Sequence, residues 1–149
     1  MRVLVISDIH GDISAINDLL LKEGYCDAYL NAGDSCCSKN MMNPFLTVKG
    51  NCDQFYGREY PLSASIDSPY GKIYIRHFPY TREEVKRLSN DGYKILIHGH
   101  THKEFAEKIG DSYVFCPGSL SFPRDSDKGT YLIINIDNKA VEWAFKKLS

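Results

Sequence analysis

Apolar residues in this chain come in short runs that break sharply into polar ones. "RVLVIS" (2–7) is a continuous apolar stretch that gives way to Ser7 and Asp8, the pattern of a buried strand. From Asp12 the period changes. Ile13, Ile16, Leu19 and Leu20 recur at helical spacing through "DISAINDLLLKEG" (12–24), and Gly24 supplies the stop. "AYLNAG" (28–33) and "FLTVKG" (45–50) read as strands, with a loop-rich stretch between them. This β-α-β-β opening is characteristic of a mixed or parallel sheet under helical cover. Beyond it, "SASID" and "KIYIRHF" flank "SPYG" as a hairpin, "TREEVKRLSNDG" (81–92) has the spacing of an amphipathic helix, and "KILIH" (94–98) is a further buried strand. The tail is β-rich: "SYVFC" (112–116), "TYLIINI" (130–136) and "AVEWAFKKL" (140–148), the last two joined by a "DNK" turn. The order predicts two sheets packed face to face with helices outside, in one domain spanning 1–149.

Length and composition narrow the picture without changing it. A chain of 149 residues is one ordinary domain, and no repeat, low-complexity segment or linker divides it. With a formal net charge of -1 and no basic block, bulk binding to nucleic acid or to a membrane surface is not expected. Only four consecutive apolar residues precede Ser7, too few for a signal segment, and no run approaches a membrane span, so a cytoplasmic protein is expected. The cysteines (Cys26, Cys36, Cys37, Cys52 and Cys116) are odd in number and form no C-x-x-C pair. They read as reduced thiols, not as a disulfide framework or a zinc ribbon.

Candidate chemistry gathers where strands end. "ILIHGHTH" (95–102) closes a strand with His98, His100 and His102. Residues two apart in extended chain share a side, so His100 and His102 can direct both imidazoles to one place. Other predicted strands end in Asp8-Ile9-His10-Gly11, in Gly33-Asp34, in Gly50-Asn51-Cys52-Asp53 and in His77. That is where open α/β sheets place their ligand sites. Singly, each has an ordinary explanation: Asp8 and Asp34 as caps or turn formers, Asn51 as a turn residue, His77 as a core histidine. Together, five strand ends bearing hard or borderline ligands, several beside a glycine that lets backbone approach a cation, point to a metal centre.

In this order, D-x-H…G-D…G-N-x-D…H…G-H-x-H resembles the calcineurin-like metallophosphoesterase family, and the short chain is similar to its small YfcE-type phosphodiesterase branch. The match runs from Asp8 through "PGSLSFPR" (117–124). The resemblance implies an α/β fold, a four-layer α/β/β/α sandwich of two mixed β-sheets flanked by helices, as in metallo-dependent phosphatases. It also implies two divalent transition-metal ions: Asp8, His10 and His102 at one, Asn51, His77 and His100 at the other, and Asp34 bridging both. Imidazole, carboxylate and amide ligands without thiolate suit Mn, Fe, Co, Ni or Zn, and the resemblance favours Mn. Two ions roughly 3.5–4 Å apart can hold a hydroxide between them and clamp phosphoryl oxygens. The implied activity is hydrolysis of a small or nucleotide-like phosphodiester, with Asn51, Cys52, Asp53 and His77 on the catalytic side.

Departures from the wider family narrow the substrate. Phosphoprotein phosphatases usually read G-N-H where this chain has Cys52, and cysteine is a weak proton donor. Their second block carries a phosphate-binding arginine, whereas this chain reads "GDSCCSK". Phosphoprotein phosphatase activity is therefore disfavoured, and Asp53 is assigned to orienting a water or a neighbouring ligand. Phe78 stands where the branch often has glycine. His98 is an extra imidazole for packing or proton transfer, Arg124 a surface residue or a phosphate contact, and Cys36 and Cys37 loop or core thiols. The alternatives are a phosphomonoesterase using the same ions and a non-catalytic scaffold like the retromer subunit of this fold. Filled ligand positions argue against the scaffold. The expected partner is a small-molecule phosphodiester; a homo-oligomer is compatible with the sequence and not specified by it.

Overall fold

The computed structural model describes residues 1–55 and 59–148. β1 (Arg2–Ile6) is buried from Val3 to Ile6 because both of its faces are covered. Val3 and Val5 point into an apolar layer shared with the second sheet, while Leu4 and Ile6 meet Ala15, Ile16 and Leu19 of α1 (Ile13–Glu23). Asp12 caps α1 by accepting the Ala15 N–H at 3.2 Å, and Gly24 ends the helix at φ 68. A strand buried on both faces has no polar alternation, which is why the sequence shows a solid apolar run.

The first sheet contains β2 (Ala28–Asn31), β3 (Leu46–Thr47), β9 (Thr130–Ile136) and β10 (Val141–Lys147), in the order β10-β9-β1-β2-β3. The second contains β4 (Ser63–Ile66), β5 (Lys72–Arg76), β6 (Tyr93–Ile97), β7 (Glu104–Ile109) and β8 (Ser112–Pro117), in the order β4-β5-β6-β8-β7. Both are mixed. Ile73, Ile75, Ile95, Ile97 and Phe115 face Val3, Val5, Leu132 and Ile134 across the inter-sheet layer. Leu96 and Val114, pointing the other way, pack on Val85 and Leu88 of α2 (Arg82–Asn90). The layers are thus helix, sheet, sheet, helix, as expected. Trp143, 40% exposed, has its ring centroid 5.2 Å from that of Phe115 in an edge-on contact at the margin of the inter-sheet layer.

Two expectations shift. β3 is only Leu46–Thr47, because the chain leaves the sheet at Val48 to form the Asn51 loop. β7 was not foreseen: Glu104, Glu107 and Lys108 break up its apolar pattern, and what makes it a strand is the full ladder it forms with β8. No helix among the described residues is long and apolar enough to cross a membrane.

The topology brings the chemistry together. β1, β2 and β3 run parallel, and so do β5, β6 and β8. The loops leaving their C-terminal ends are stitched to one another: His10 N–H to Asp34 O at 3.0 Å, Gly99 N–H to His77 O at 2.9 Å and Leu120 N–H to Ser7 O at 3.1 Å.

Candidate metal centre

Five of the seven expected ligands sit on backbone of positive φ: Asp8 at 55, His10 at 46, Asp34 at 58, His100 at 73 and His102 at 60. Side-chain-bearing residues rarely adopt this region, and such strain persists only where surrounding structure holds it. The stitching between loops supplies that hold. Two glycines make the necessary room: a Cβ on Gly99 would lie 2.0 Å from Ser7 Oγ, and one on Gly50 would lie 2.0 Å from Asp34 Oδ1. Gly99 in "GHTH" therefore serves close approach to the Asp8 loop more than bending of its own.

Around this frame the side chains converge. Asp8, His10 and His102 place ligand atoms within 4.8 Å of one another, and so do Asp8, Asp34 and His77. Asn51 Oδ1 stands 2.9 Å from His77 Nε2 and 3.3 Å from His100 Nδ1. The carboxylates are fixed from behind. Asp8 Oδ2 accepts from Ser7 Oγ at 2.5 Å and from the His100 N–H at 3.2 Å, while Asp34 Oδ1 accepts the Cys52 N–H at 2.8 Å.

The imidazoles are oriented the same way, and their orientation tests whether a cation fits. His77 Nδ1 lies 2.7 Å from Ala32 O and His102 Nδ1 lies 2.8 Å from Phe122 O, so each Nδ1 carries the proton it donates. In a neutral ring that leaves Nε2 with only a lone pair. Yet His77 Nε2 faces Asp34 Oδ2 at 3.4 Å as well as Asn51 Oδ1, and His102 Nε2 faces Asp8 Oδ1 at 3.2 Å. Acceptor faces acceptor, an arrangement that needs a proton or a metal ion between. Asp8 Oδ1 and His10 Nε2 are buried without any hydrogen-bond partner. The residues fit divalent cations.

Electrostatics agree. Burial pushes the Asp8 carboxyl above its usual range, against the pull of Ser7, His77 and His102. Burial also opposes ionisation of Asp34, but His77 and the Cys52 N–H outweigh it and bring that carboxyl down to about 2. His77 is disfavoured as a cation by burial, yet Asp34 and Asp8 raise it above its ordinary value. The pocket stabilises positive charge.

Residues 1–139 match the family described as the calcineurin-like phosphoesterase superfamily domain. The chain belongs to that superfamily. Phosphodiesterase YfcE of Escherichia coli K12 is 24% identical, covering 92% of this chain and 89% of YfcE. A crystal structure of a predicted phosphoesterase from Streptococcus pneumoniae TIGR4 superposes with a TM-score of 0.85 at 25% identity, over 99% of this chain and 89% of that one. The fold is also that of wild-type Vps29 from Entamoeba histolytica complexed with Zn²⁺, at a TM-score of 0.70 and 23% identity over 100% of both chains.

Within this metallophosphoesterase fold the remaining candidates take distinct places. Asp53, almost fully buried, accepts from Asp34 N–H at 2.9 Å, Cys36 N–H at 2.9 Å, Gly50 N–H at 2.7 Å and Ser35 Oγ at 3.3 Å. Its oxygens face main chain and hold the Asp34 and Asn51 loops together. Cys52 is exposed beside the cluster, its sulfur within 4.8 Å of ligand atoms of His10 and Asp34, and partial desolvation with the neighbouring Asp34 raises its pKa. Cys36 approaches His10 Nδ1 at 3.8 Å, whereas Cys37 is a core thiol. His98 points away from the ligands. It bonds Gly99 O at 2.8 Å, lies near Tyr80 and Phe105, and burial lowers its pKa. Arg124 is exposed, and its N–H bonds His102 O at 2.9 Å. Sequence reasoning missed the orienting carbonyls of Ala32 and Phe122, since a main-chain acceptor has no sequence signal.

Proposed function

We propose that the protein is a two-metal phosphodiesterase acting on small or nucleotide-like diesters. Asp8, His10 and His102 would hold one ion, Asn51, His77 and His100 the other, with Asp34 between them. The observation that carries this reading is the convergence of lone pairs at the strand ends: His77 Nε2 and His102 Nε2 each face a carboxylate, and Asp8 Oδ1 and His10 Nε2 are buried without a hydrogen bond. Bound there, divalent ions supply Lewis-acid polarisation of the phosphoryl group and activation of water. The oxygen and nitrogen donor set suits Mn, Fe, Co, Ni or Zn, and the family resemblance alone favours Mn²⁺ among them.

The chain's own residues do the positioning. Ser7 and the His100 N–H aim the Asp8 carboxylate, Asp53 sets the Asp34 main chain, and the carbonyls of Ala32 and Phe122 turn His77 and His102. Such fixed groups need little reorganisation as charge develops. Cys52 stands where the resemblance puts the proton-donating histidine of phosphoprotein phosphatases, and its raised pKa makes it a weak acid. That favours diesters whose leaving groups depart without protonation. The relative named phosphodiesterase supports the diester reading.

A panel of phosphodiesters and phosphomonoesters, assayed with protein reconstituted in Mn²⁺, tests the proposal. Hydrolysis of bis(p-nitrophenyl) phosphate well above that of p-nitrophenyl phosphate is expected. Preference for the monoester would favour the phosphomonoesterase alternative, and no turnover with any of the five metals would favour a scaffold.

A further inference from the structure

Two phenylalanines stand partly in solvent beside the ligand cluster, one against each half. Phe78 is 47% exposed and Phe122 56%. The Phe78 ring lies 5.0 Å from that of His100 and 5.2 Å from that of His77, and the Phe122 ring sits edge-on 5.4 Å from His10. The imidazoles are themselves paired, His77 with His100 at 5.3 Å and His10 with His102 at 5.5 Å. Each pair carries its own phenylalanine.

Both rings rise from anchored main chain. Phe122 N–H donates to Ser119 Oγ at 2.7 Å while its carbonyl receives His102 Nδ1, and the Phe78 carbonyl receives Arg76 Nε at 2.9 Å. A phenyl ring on anchored main chain with one side in water gains free energy when a flat group covers it, and with only two side-chain torsions to fix it loses little conformational entropy in the process. Neither ring can ligate a metal or move a proton. Their placement bears on what lies over the centre.

We propose that Phe78 and Phe122 are stacking platforms for the two arms of the substrate, which makes the preferred substrate a linear phosphodiester bearing a nucleobase or comparable flat ring on each arm. The inference rests on the phosphodiesterase reading and adds to it the substrate class and the residues that select it. A diester has two organic arms that leave phosphorus in different directions. With phosphorus over the carboxylates between the imidazole pairs, one arm heads for each phenylalanine. Stacking on a phenyl face accepts any base, so the selection is for flat rings and not for sequence.

Two esters with the same leaving group test this: thymidine 5′-(p-nitrophenyl) phosphate, with a ring on both arms, and methyl p-nitrophenyl phosphate, with one. In Mn²⁺-loaded wild type the thymidine ester should show a KM lower by roughly tenfold, with kcat nearly unchanged. Of Phe78→Ala and Phe122→Ala, one should abolish that ratio, and the other should raise KM for both esters alike. Equal KM values in wild type, or a ratio that survives in the double variant, would overturn the platforms. Calorimetric binding of thymidine 5′-monophosphate against methyl phosphate gives a readout free of turnover. Roughly tenfold tighter binding of the nucleotide, lost in the double variant, supports the platforms even if neither ester is hydrolysed, in which case only the phosphodiesterase reading fails. Equal binding of the two would overturn the platforms whatever the turnover.

Discussion

Asp53 Oδ2 accepts the main-chain N–H of Asp34 at 2.9 Å, so one buried acid sets the backbone of another. The same carboxylate takes the N–H groups of Cys36 and Gly50, which ties the loop after β2 to the loop after β3. Asp53→Asn puts an amide N–H where an acceptor is needed. Unfolding in urea should show a loss of about 2–3 kcal/mol, the cost of leaving buried donors unpaired. Bound metal should fall as well, because the Asp34 loop loses its anchor. A variant with wild-type stability and metal content would show that the loops do not depend on this carboxylate.

Asp34 and Asn51 should separate in a metal titration. Asp34→Asn keeps the side-chain volume but removes the charge facing His77, so both ions should be lost together and diester turnover should fall by several orders of magnitude. Asn51→Ala should empty mainly the half-site of His77 and His100. Metal content and turnover of the two variants and wild type, measured side by side, check this, and near wild-type turnover in Asp34→Asn would sink the bridging assignment. Uptake should also weaken as pH falls, beginning above the ordinary histidine value of 6.5. His77 is held above that value and must shed its proton to become a ligand.

The Cys52 thiol should limit which leaving groups the protein handles. Burial and the neighbouring Asp34 raise its pKa, so it gives up a proton poorly. Cys52→His should speed hydrolysis of alkyl diesters about tenfold or more while changing activated aryl diesters little. Equal slowing of both would assign Cys52 to packing or to positioning the metal ligands.

Glu23 offers a test of the fold apart from the site. Its carboxylate, with a side chain only 5% exposed, receives Arg2 at 2.6 Å, Tyr131 Oη at 2.5 Å and Lys146 at 3.2 Å, and so pins the end of α1 to β1, β9 and β10. Burial alone would raise its pKa, but these partners outweigh burial and lower it. A lowered folded value means the contribution is complete above the ordinary 4.5 and is lost as pH falls below that toward the folded pKa. Glu23→Gln should cost about 2 kcal/mol at pH 7 and progressively less below pH 4.5, with diester turnover per folded molecule unchanged. The melting temperatures of both proteins across pH 3 to 7 check the sign, and a difference that grows on acidification would refute it.

Much of this architecture was legible because burial on two faces leaves a mark on a chain. The solid apolar runs of β1, β6 and β9 are what strands between two layers require, and the helical period of α1 and α2 is what a one-sided contact requires. The candidate site residues were legible for a related reason. Carboxylates and imidazoles gathered at successive strand ends are not what packing calls for, so their types and order stand out. Other features left no such mark. β7 is a strand only because β8 offers it a ladder, and Asp53 reads like any loop acid until four donors close around it. Gly99 shows its purpose only where Ser7 and Asp8 press against it, and Phe78 and Phe122 come beside the histidines only when the loops after β5 and β8 meet at one cluster. Periodicity and residue type are local properties of the chain and can be read along it. Which donor meets which acceptor, which lone pairs face one another and which ring borders which imidazole depend on contacts between segments as far apart as Asp8 and His102, and only the packed sheets bring those within 3.2 Å.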